Sequence, residues 1–188
     1  MPYRNIAFAM GGHYHIYNRG VAKQPIFLEP VDYALFTDRL AAYAERLQIT
    51  IIAYCLLPNH YHLFVCQDGN EPAGKLPQYV CNGYSKGFNR RHGRRGTLFQ
   101  GRFGARLIVD QVDAQHLCAY IHGNPVVAGL VKRAQDWPYS DLRSWLTLKG
   151  PSRAKRNAME SLFINQAEYK RFLEDVIEQK MYKDDLNF

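Results

Sequence analysis

Two histidines separated by a single residue carry the clearest chemical signal in the chain. His60 and His62 lie within an apolar stretch whose composition predicts a strand. Successive side chains of a strand point to opposite faces, so both imidazoles lie on one face, about 6.6 Å apart along the strand, and can bind one metal ion. The other face carries Tyr61, Leu63 and Val65, and we expect it to be the core face.

This spacing alone does not separate a metal site from histidines that only form hydrogen bonds. His13 and His15 have the same spacing on an earlier predicted strand, and we expect them to contribute much less to metal binding. A metal site therefore needs support from a second pattern elsewhere in the chain.

A predicted helix over residues 111–123 supplies that pattern. His116, Tyr120 and Asn124 follow one another at intervals of four residues and therefore form one stripe along the helix. A tyrosine and an amide at such positions are also typical of an ordinary helix surface or a capped helix end. Pro125 disfavours helical geometry at Asn124, so we expect the last turn to close there.

The elements that position these residues follow from hydrophobic periodicity and turn signals. The pattern predicts strands over residues 13–18, 49–57, 60–67 and 102–109, and helices over 31–47, 76–91, 111–123 and 166–181. The order βαββαβ, followed by the tyrosine-bearing helix, indicates an α+β fold with a ferredoxin-like (RRM-like) antiparallel sheet. We expect one domain over 1–150, then a basic linker at 151–157 and a C-terminal helical tail to 188.

Composition and charge limit the functional classes. The chain has 188 residues, 47% hydrophobic and 22% charged, which is typical of a globular protein. Its net charge of +7 favours nucleic acid only weakly. The distribution says more, because the segment between Glu71 and Asp110 holds no acidic residue and these eight basic ones: Lys75, Lys86, Arg90, Arg91, Arg94, Arg95, Arg102 and Arg106.

Aromatic residues interleave with this basic segment, and spacing leaves two interpretations of them open. Either they stack on bases or they form core beneath a solvated basic face. The residues are Tyr79, Tyr84, Phe88, Phe99 and Phe103.

Secretion and membrane insertion are both disfavoured, so we expect a cytoplasmic protein. The opening apolar stretch is too short for a signal peptide, and the longest apolar run, residues 49–57, is too short to span a membrane. The four cysteines form no C-x-x-C pair and are interpreted as buried free thiols: Cys55, Cys66, Cys81 and Cys118.

Four segments together resemble the REP-associated tyrosine transposases, relatives of the insertion-sequence single-tyrosine transposases within the HUH superfamily. They are HYHIYNRGVAKQPIF, AYCLLPNHYHLFV, GTLFQGRF and YIHGNPVVAGLV, in order from about His13 to Ser144. In that family a histidine-hydrophobic-histidine motif binds a divalent metal. The resemblance assigns that role to His60 and His62, makes Tyr120 the nucleophile, and makes Asn124 the residue that completes the metal site.

The resemblance also implies a reaction and a substrate. Tyrosine attack would leave a 5′-phosphotyrosine and a free 3′-hydroxyl in hairpin-forming single-stranded DNA of the repetitive palindromic (REP) type. Two imidazoles would suit zinc, copper, iron or nickel, whereas the family implies Mg²⁺ or Mn²⁺. A nucleoid-associated monomer or homodimer is expected, and His116 is a candidate proton relay. The candidate DNA-binding residues are Asn18, Arg19, Lys86, Arg90, Arg91, Arg94, Arg95 and Arg102.

Two other functional classes remain open on the sequence. One is a DNA-binding regulator of the same fold that lacks catalysis. The other is an RNA-binding ferredoxin-like module, which would stack bases on aromatic residues of the sheet such as Tyr14, Tyr17 and Tyr61. An RNA-binding module would not require the histidine pair.

Overall fold

The computed structural model describes residues 6–147, 149–150 and 152–185, the last five of these by their backbone only. Contacts divide the chain into two compact units. The first comprises residues up to 51 together with 56–107, and the second comprises 52–55 together with the chain from 108 onwards.

Four antiparallel strands form the sheet, in the order β2-β3-β1-β4. This is the strand order of the ferredoxin-like fold, so the predicted α+β class is confirmed. Tyr61, Leu63 and Val65 are almost fully buried, as expected for the core face. The strands are β1 (His13–Arg19), β2 (Ile49–Leu57), β3 (His60–Gln67) and β4 (Gly104–Ile108).

Two helices complete the first unit, α1 (Pro30–Arg46) and α2 (Lys75–Arg91), and they pack against each other. Pro30 lies in the first turn of α1, where its missing N–H costs no hydrogen bond. The buried Asp32 carboxylate accepts hydrogen bonds from the backbone N–H groups of Leu28 and Glu29 and so fixes the start of this helix.

The second unit consists mainly of helices. Asp110 begins α3 by accepting a 2.7 Å hydrogen bond from the backbone N–H of Asp113, as expected of an aspartate that caps a helix. Helix α3 packs along α6, and Gly123 allows the close approach, because a Cβ there would lie 2.9 Å from Ile177. The helices are α3 (Gln111–Val127), α4 (Leu142–Thr147), α5 (Arg153–Leu162) and α6 (Gln166–Asp185).

Two local predictions in this unit are wrong. Helix α3 does not close at Asn124 but continues through Pro125, which is buried, and Ala128 N–H still bonds the carbonyl of Asn124 at 2.8 Å. Packing of the buried helix outweighs the local preference of proline. Residues 153–157, predicted as linker, belong to α5, whose first turn is capped by the Ser152 hydroxyl and whose inner face buries Lys155.

The aromatic residues of the basic segment are mostly core. Tyr79 is the exception: it is 41% exposed and stacks on Tyr43 with ring centroids 5.4 Å apart. The interpretation of this set as a base-stacking surface is therefore wrong for four of its members. These four, Tyr84, Phe88, Phe99 and Phe103, are buried.

Two of the three aromatic residues considered for an RNA-binding surface on the sheet are buried as well. Tyr14 and Tyr61 are 1% and 0% exposed, so neither can stack on a base, and of the three proposed residues only Tyr17 is exposed.

Across the helices that the structure describes, none is long and apolar enough to cross a membrane.

Candidate functional site

The histidine pair lies on the face of the sheet opposite Tyr61. In the antiparallel ladder between β1 and β3, Arg19 lies directly across from His60, and Tyr17 directly across from His62. Directly opposed residues share a face of a sheet, so these four side chains occupy one surface. His15 shares it too, because it lies two residues before Tyr17 on the same strand.

The ring of His60 is oriented by its neighbours. Its Nδ1 lies 2.6 Å from Oδ1 of Asn59, and the same amide donates from Nδ2 to the carbonyl oxygen of Lys23 at 3.1 Å. The second bond identifies Oδ1 of Asn59 as an acceptor, so Nδ1 of His60 carries the proton and Nε2 carries the lone pair. That is the form in which an imidazole binds a metal.

The protonation state of His60 favours the same chemistry. Burial, and secondly the positive charge of Arg19, lower the pKa of His60 below 6.5. The ring is therefore neutral at neutral pH, which a metal ligand must be.

The second histidine of the pair is more deeply buried. His62 is 6% exposed, and its ring centroid lies 5.1 Å from that of His60. Its Nδ1 lies 3.0 Å from Nε2 of His15, which is 8% exposed. Sequence reasoning set His15 aside as a repeat of the same spacing. Antiparallel pairing of β1 with β3 is the signal that would have placed it beside His62.

His60 and His62 provide only two ligands, so a metal ion bound to them must take most of its ligands from other groups. Nowhere in the described part of the chain do three or more histidine, cysteine or acidic residues form a group that could hold a metal ion. Two imidazoles leave coordination positions for an amide oxygen, water and phosphate oxygens. That combination fits a substrate-assisted divalent site, in which metals hold water and phosphate oxygens as well as protein ligands.

Tyr120 and Asn124 lie in the second unit, and both are partly exposed on α3. The amide nitrogen of Asn124 donates a 2.8 Å hydrogen bond to the backbone carbonyl of Tyr120, so its Oδ1 is the atom that could bind a cation. The ammonium of Lys180 lies 3.6 Å from the centroid of the Tyr120 ring, a cation–π distance. His116 is exposed, and its ring lies 5.1 Å from that of Phe172.

The candidate DNA-binding residues differ in how many of their polar atoms already contact other protein groups. Arg91 lies 3.9 Å from Asp32, and Arg94 contacts Gln24 at 3.3 Å. Asn18 is buried and uses its amide internally, accepting from Arg19 N–H and donating to the carbonyl of Gly101. The exposed members are Arg19, Lys86, Arg90, Arg91, Arg95 and Arg102.

A groove of about 1030 Å³ in the first unit brings three of these residues together. Asn18, Lys86 and Arg102 line it, so one predicted DNA-binding residue from each of β1, α2 and the loop before β4 shares a concave surface. Sequence reasoning did not identify its other polar residues, which include Gln78, Asn82 and Asn89.

Comparison with known proteins supports the resemblance seen in the motifs. The family model "Transposase IS200 like" matches residues 9–124. A Haemophilus influenzae protein, provisionally assigned as a REP-associated tyrosine transposase, is 32% identical over 109 residues, 51% of this chain and 60% of its own length. A REP-associated tyrosine transposase of Escherichia coli K12 is 31% identical over 91 residues, 48% of this chain and 52% of its own length.

The chain therefore spans less than two thirds of each of these two relatives. Among solved structures, a REP-associated tyrosine transposase bound to a REP hairpin aligns with a TM-score of 0.65 at 21% identity, covering 82% of this chain and 90% of that one. This likeness shows that the fold is shared.

Proposed function

Because the chain belongs to the IS200-like transposase family, which its match over residues 9–124 establishes, we propose that it cleaves and rejoins hairpin-forming single-stranded DNA. The substrate is DNA of the REP type, the kind of hairpin held by the solved structure that shares its fold. The protein acts as a monomer or a homodimer on the nucleoid. The observation that carries the proposal is the oriented, neutral His60 beside His62 on one face of β3.

We assign the metal ligands to His60, His62 and Asn124, with Mg²⁺ or Mn²⁺ as the ion. The imidazole of His60 supports this because its lone pair is on Nε2, and Asn124 supports it because its Nδ2 is bound to its own helix. When bound, the ion polarises the scissile phosphate and stabilises charge on its oxygens. The inclusion of Asn124 with the two histidines follows from the family resemblance.

Tyr120 is the nucleophile of the proposed reaction. Its phenol oxygen forms a bond to phosphorus and loses its proton, while the bond from phosphorus to the 3′-oxygen breaks and that oxygen takes up a proton. His116, one helical turn earlier, is the candidate to accept the phenol proton. The phosphotyrosine keeps the energy of the broken bond, so the reverse attack by a 3′-hydroxyl can rejoin strands without ATP.

Charge in the first unit supports binding of DNA. Lys86, Arg90, Arg95 and Arg102 are exposed, and the segment that contains them holds no acidic residue from 72 to 109. Exposed cations on such a segment neutralise phosphates and release counterions, which provides affinity independent of base sequence.

The replacement Tyr120→Phe tests the nucleophile, since it removes one oxygen and little packing. Labelled single-stranded hairpin DNA is incubated with manganese and resolved on denaturing gels. We expect the parent to form a covalent protein–DNA adduct and a cleaved strand, and the mutant to form neither while still binding the hairpin.

The matched control is Tyr79→Phe, which removes the same oxygen from another exposed helical tyrosine and should leave the adduct intact. A regulator without catalysis gives no adduct with the parent. A nuclease that uses activated water cleaves with both proteins. An adduct that persists in Tyr120→Phe means that another of the 13 tyrosines attacks.

A further inference from the structure

The contact between His15 and His62 joins two buried imidazoles on adjacent strands. Nε2 of His15 lies 3.0 Å from Nδ1 of His62, and the rings are stacked at 27° with centroids 5.2 Å apart. We propose that His15 is a positioning residue, which accepts a hydrogen bond from Nδ1–H of His62 and thereby holds the lone pair of His62 on Nε2. The inference rests on the proposed function, because it takes His62 as a metal ligand.

The chemical reason is that an imidazole can bind a cation only through a nitrogen that carries no proton. A neutral histidine exists as two tautomers, and the partner of one nitrogen decides which of them is populated. An acceptor at Nδ1 of His62 keeps the proton there, so Nε2 becomes the ligand atom. Outer partners of this kind orient ligating histidines in metal sites and raise their basicity.

His60 shows the same arrangement with a different acceptor. Its Nδ1 bonds Oδ1 of Asn59, whose Nδ2 donates to the carbonyl of Lys23. Both members of the pair therefore meet their outer partner through Nδ1. A shared choice of nitrogen is what a site needs if both rings are to present Nε2 to one ion.

The register of β1 against β3 fixes the contact between His15 and His62. The ladder between β1 and β3 pairs His15 with Phe64 and Tyr17 with His62, which places His15 diagonally beside His62 on one face. The ring of Tyr17 lies 5.0 Å from that of His15 and 5.9 Å from that of His62, and so packs beside both imidazoles. At 8% exposure, His15 has little room to choose another rotamer.

A purely structural role for His15 makes a different prediction. In that case the two buried nitrogens only satisfy each other, and the proton can lie on either side of the contact. Loss of His15 would then lower the free energy of unfolding without a specific effect on the tautomer of His62 or on metal affinity.

The tautomer is measured first, in the unmodified metal-free protein, by long-range ¹H–¹⁵N correlation of the histidine rings. The variants His15→Gln and His62→Gln assign the signals. We expect the His62 ring to carry its proton on Nδ1 and the His15 ring to accept at Nε2. A proton on Nε2 of His62 overturns the proposal without reference to metal or activity.

The second measurement is calorimetric titration of manganese into folded variants. His15→Ala should weaken the affinity about 10- to 100-fold, the usual cost of losing an outer partner. His15→Gln should recover most of it, because its amide reaches about the position of Nε2 of His15. The matched control is His13→Ala, on the same strand and face, whose ring lies 5.9 Å from Phe64; it should bind manganese as the parent does.

These results separate the inference from the function on which it rests. If His62→Ala abolishes manganese binding while His15→Ala binds as tightly as the parent, the metal site stands and the role of His15 is wrong. If the parent itself binds no manganese, the metal site is wrong, and the tautomer in the metal-free protein still decides whether His15 orients His62. If His15→Ala does not fold, His15→Gln and the tautomer of the parent give the answer.

Discussion

The two compact units hold histidines in opposite ways. On the sheet of the first unit, His60 is only half-buried, and its Nδ1 is the nitrogen held by the protein. In the second unit, His122 is 0% exposed and uses both ring nitrogens, Nδ1 with the hydroxyl of Tyr169 and Nε2 with Oδ1 of Asp141 at 2.8 Å. His60 therefore keeps on Nε2 the lone pair that the proposed metal site requires, whereas both ring nitrogens of His122 are bonded within the protein.

Asp141 is the centre of the buried network around His122. Besides that histidine it accepts from the Lys155 ammonium and, at 2.7 Å, from the backbone N–H of Tyr54. Burial raises the pKa of Asp141, but the charge of Lys155 and the hydrogen bond from His122 outweigh it and bring the pKa to about 2. The network therefore holds a buried carboxylate whose charge is compensated, which is a structural task.

Burial alone therefore does not mark a histidine as functional. His62 and His122 are both buried, yet the first lies on a surface with two other histidines and the second lies in a closed set of partners. For His60 and His122, the informative quantity is the number of ring nitrogens that the protein itself bonds.

The largest expected effect comes from His122→Ala. It leaves the carboxylate of Asp141 and the hydroxyl of Tyr169 without their buried partner, so we expect the free energy of unfolding to fall by about 3–5 kcal/mol. Urea unfolding at pH 7 measures it. His60→Ala should cost about 1 kcal/mol or less by the same measurement, because that residue is only half-buried.

Metal binding completes the contrast. His60→Ala should abolish manganese binding and cleavage while the protein stays folded, and chelation of the metal from the parent should have the same effect on cleavage.

For the stability measurements the control is His116→Ala, which replaces an exposed histidine on the helix that carries His122. Equal losses of stability in His60→Ala and His122→Ala would remove the distinction between the two units.

The fold was predictable because its elements carry their own patterns. The strand bounds 49–57 and 60–67 read from the sequence coincide with the observed β2 and β3, since an apolar run interrupted by Pro58 and Asn59 indicates a hairpin. The common face of His60 and His62 follows from strand periodicity alone. Residues on one element can be placed together without knowledge of the rest of the chain.

What could not be predicted depends on pairs of residues distant in sequence. The contact of His15 with His62 requires the register of β1 against β3, and the network of His122 joins residues from four elements, α3, α5, α6 and β2. Helix α3 continues through Pro125 because its packing overrides a local signal. Neither periodicity nor spacing contains this information.

A smaller effect should appear in the free energy of unfolding at acidic pH, because of the Asp141 carboxylate in the second unit. The pKa of Asp141 is lowered to about 2, so the folded protein binds fewer protons than the unfolded chain, whose aspartates titrate near pH 4. The stabilisation is complete above pH 4 and is lost as the pH falls towards 2, by about 2–3 kcal/mol. Unfolding free energies measured between pH 5 and 2 should show this slope in the parent.

The variant Asp141→Asn isolates that contribution. It should be less stable than the parent at pH 7, and the difference should shrink as the pH falls through the window from 4 to 2. The double variant Asp141→Asn with Lys155→Met serves if the single variant does not fold, since it removes the unpaired buried ammonium as well. A difference that stays constant with pH would show that Asp141 is not ionised in the folded protein.

The smallest expected effect concerns the exposed cations of the first unit, where removal should alter binding and leave stability unchanged. Arg90 and Arg95 are exposed, whereas Arg94 lies over the ring of Phe88 at 5.7 Å. Each phosphate contact on single-stranded DNA contributes about 0.7 to the slope of log affinity against log salt. Arg90→Gln with Arg95→Gln should therefore lower the slope for a hairpin by about 1.4, measured by fluorescence anisotropy between low and moderate salt.

Arg91→Gln with Arg94→Gln should lower the slope less, because Asp32 already lies beside Arg91, and Arg94 is held by Gln24. Arg46→Gln, which removes one exposed cation on α1 outside the basic segment, controls for the effect per unit of net charge. The affinity should fall similarly for hairpins of different sequence, since phosphate contacts carry no base information. If the Arg90 and Arg95 double variant keeps the parent slope, neither arginine contacts DNA, and the proposed phosphate contacts are assigned to the groove that Lys86 and Arg102 line.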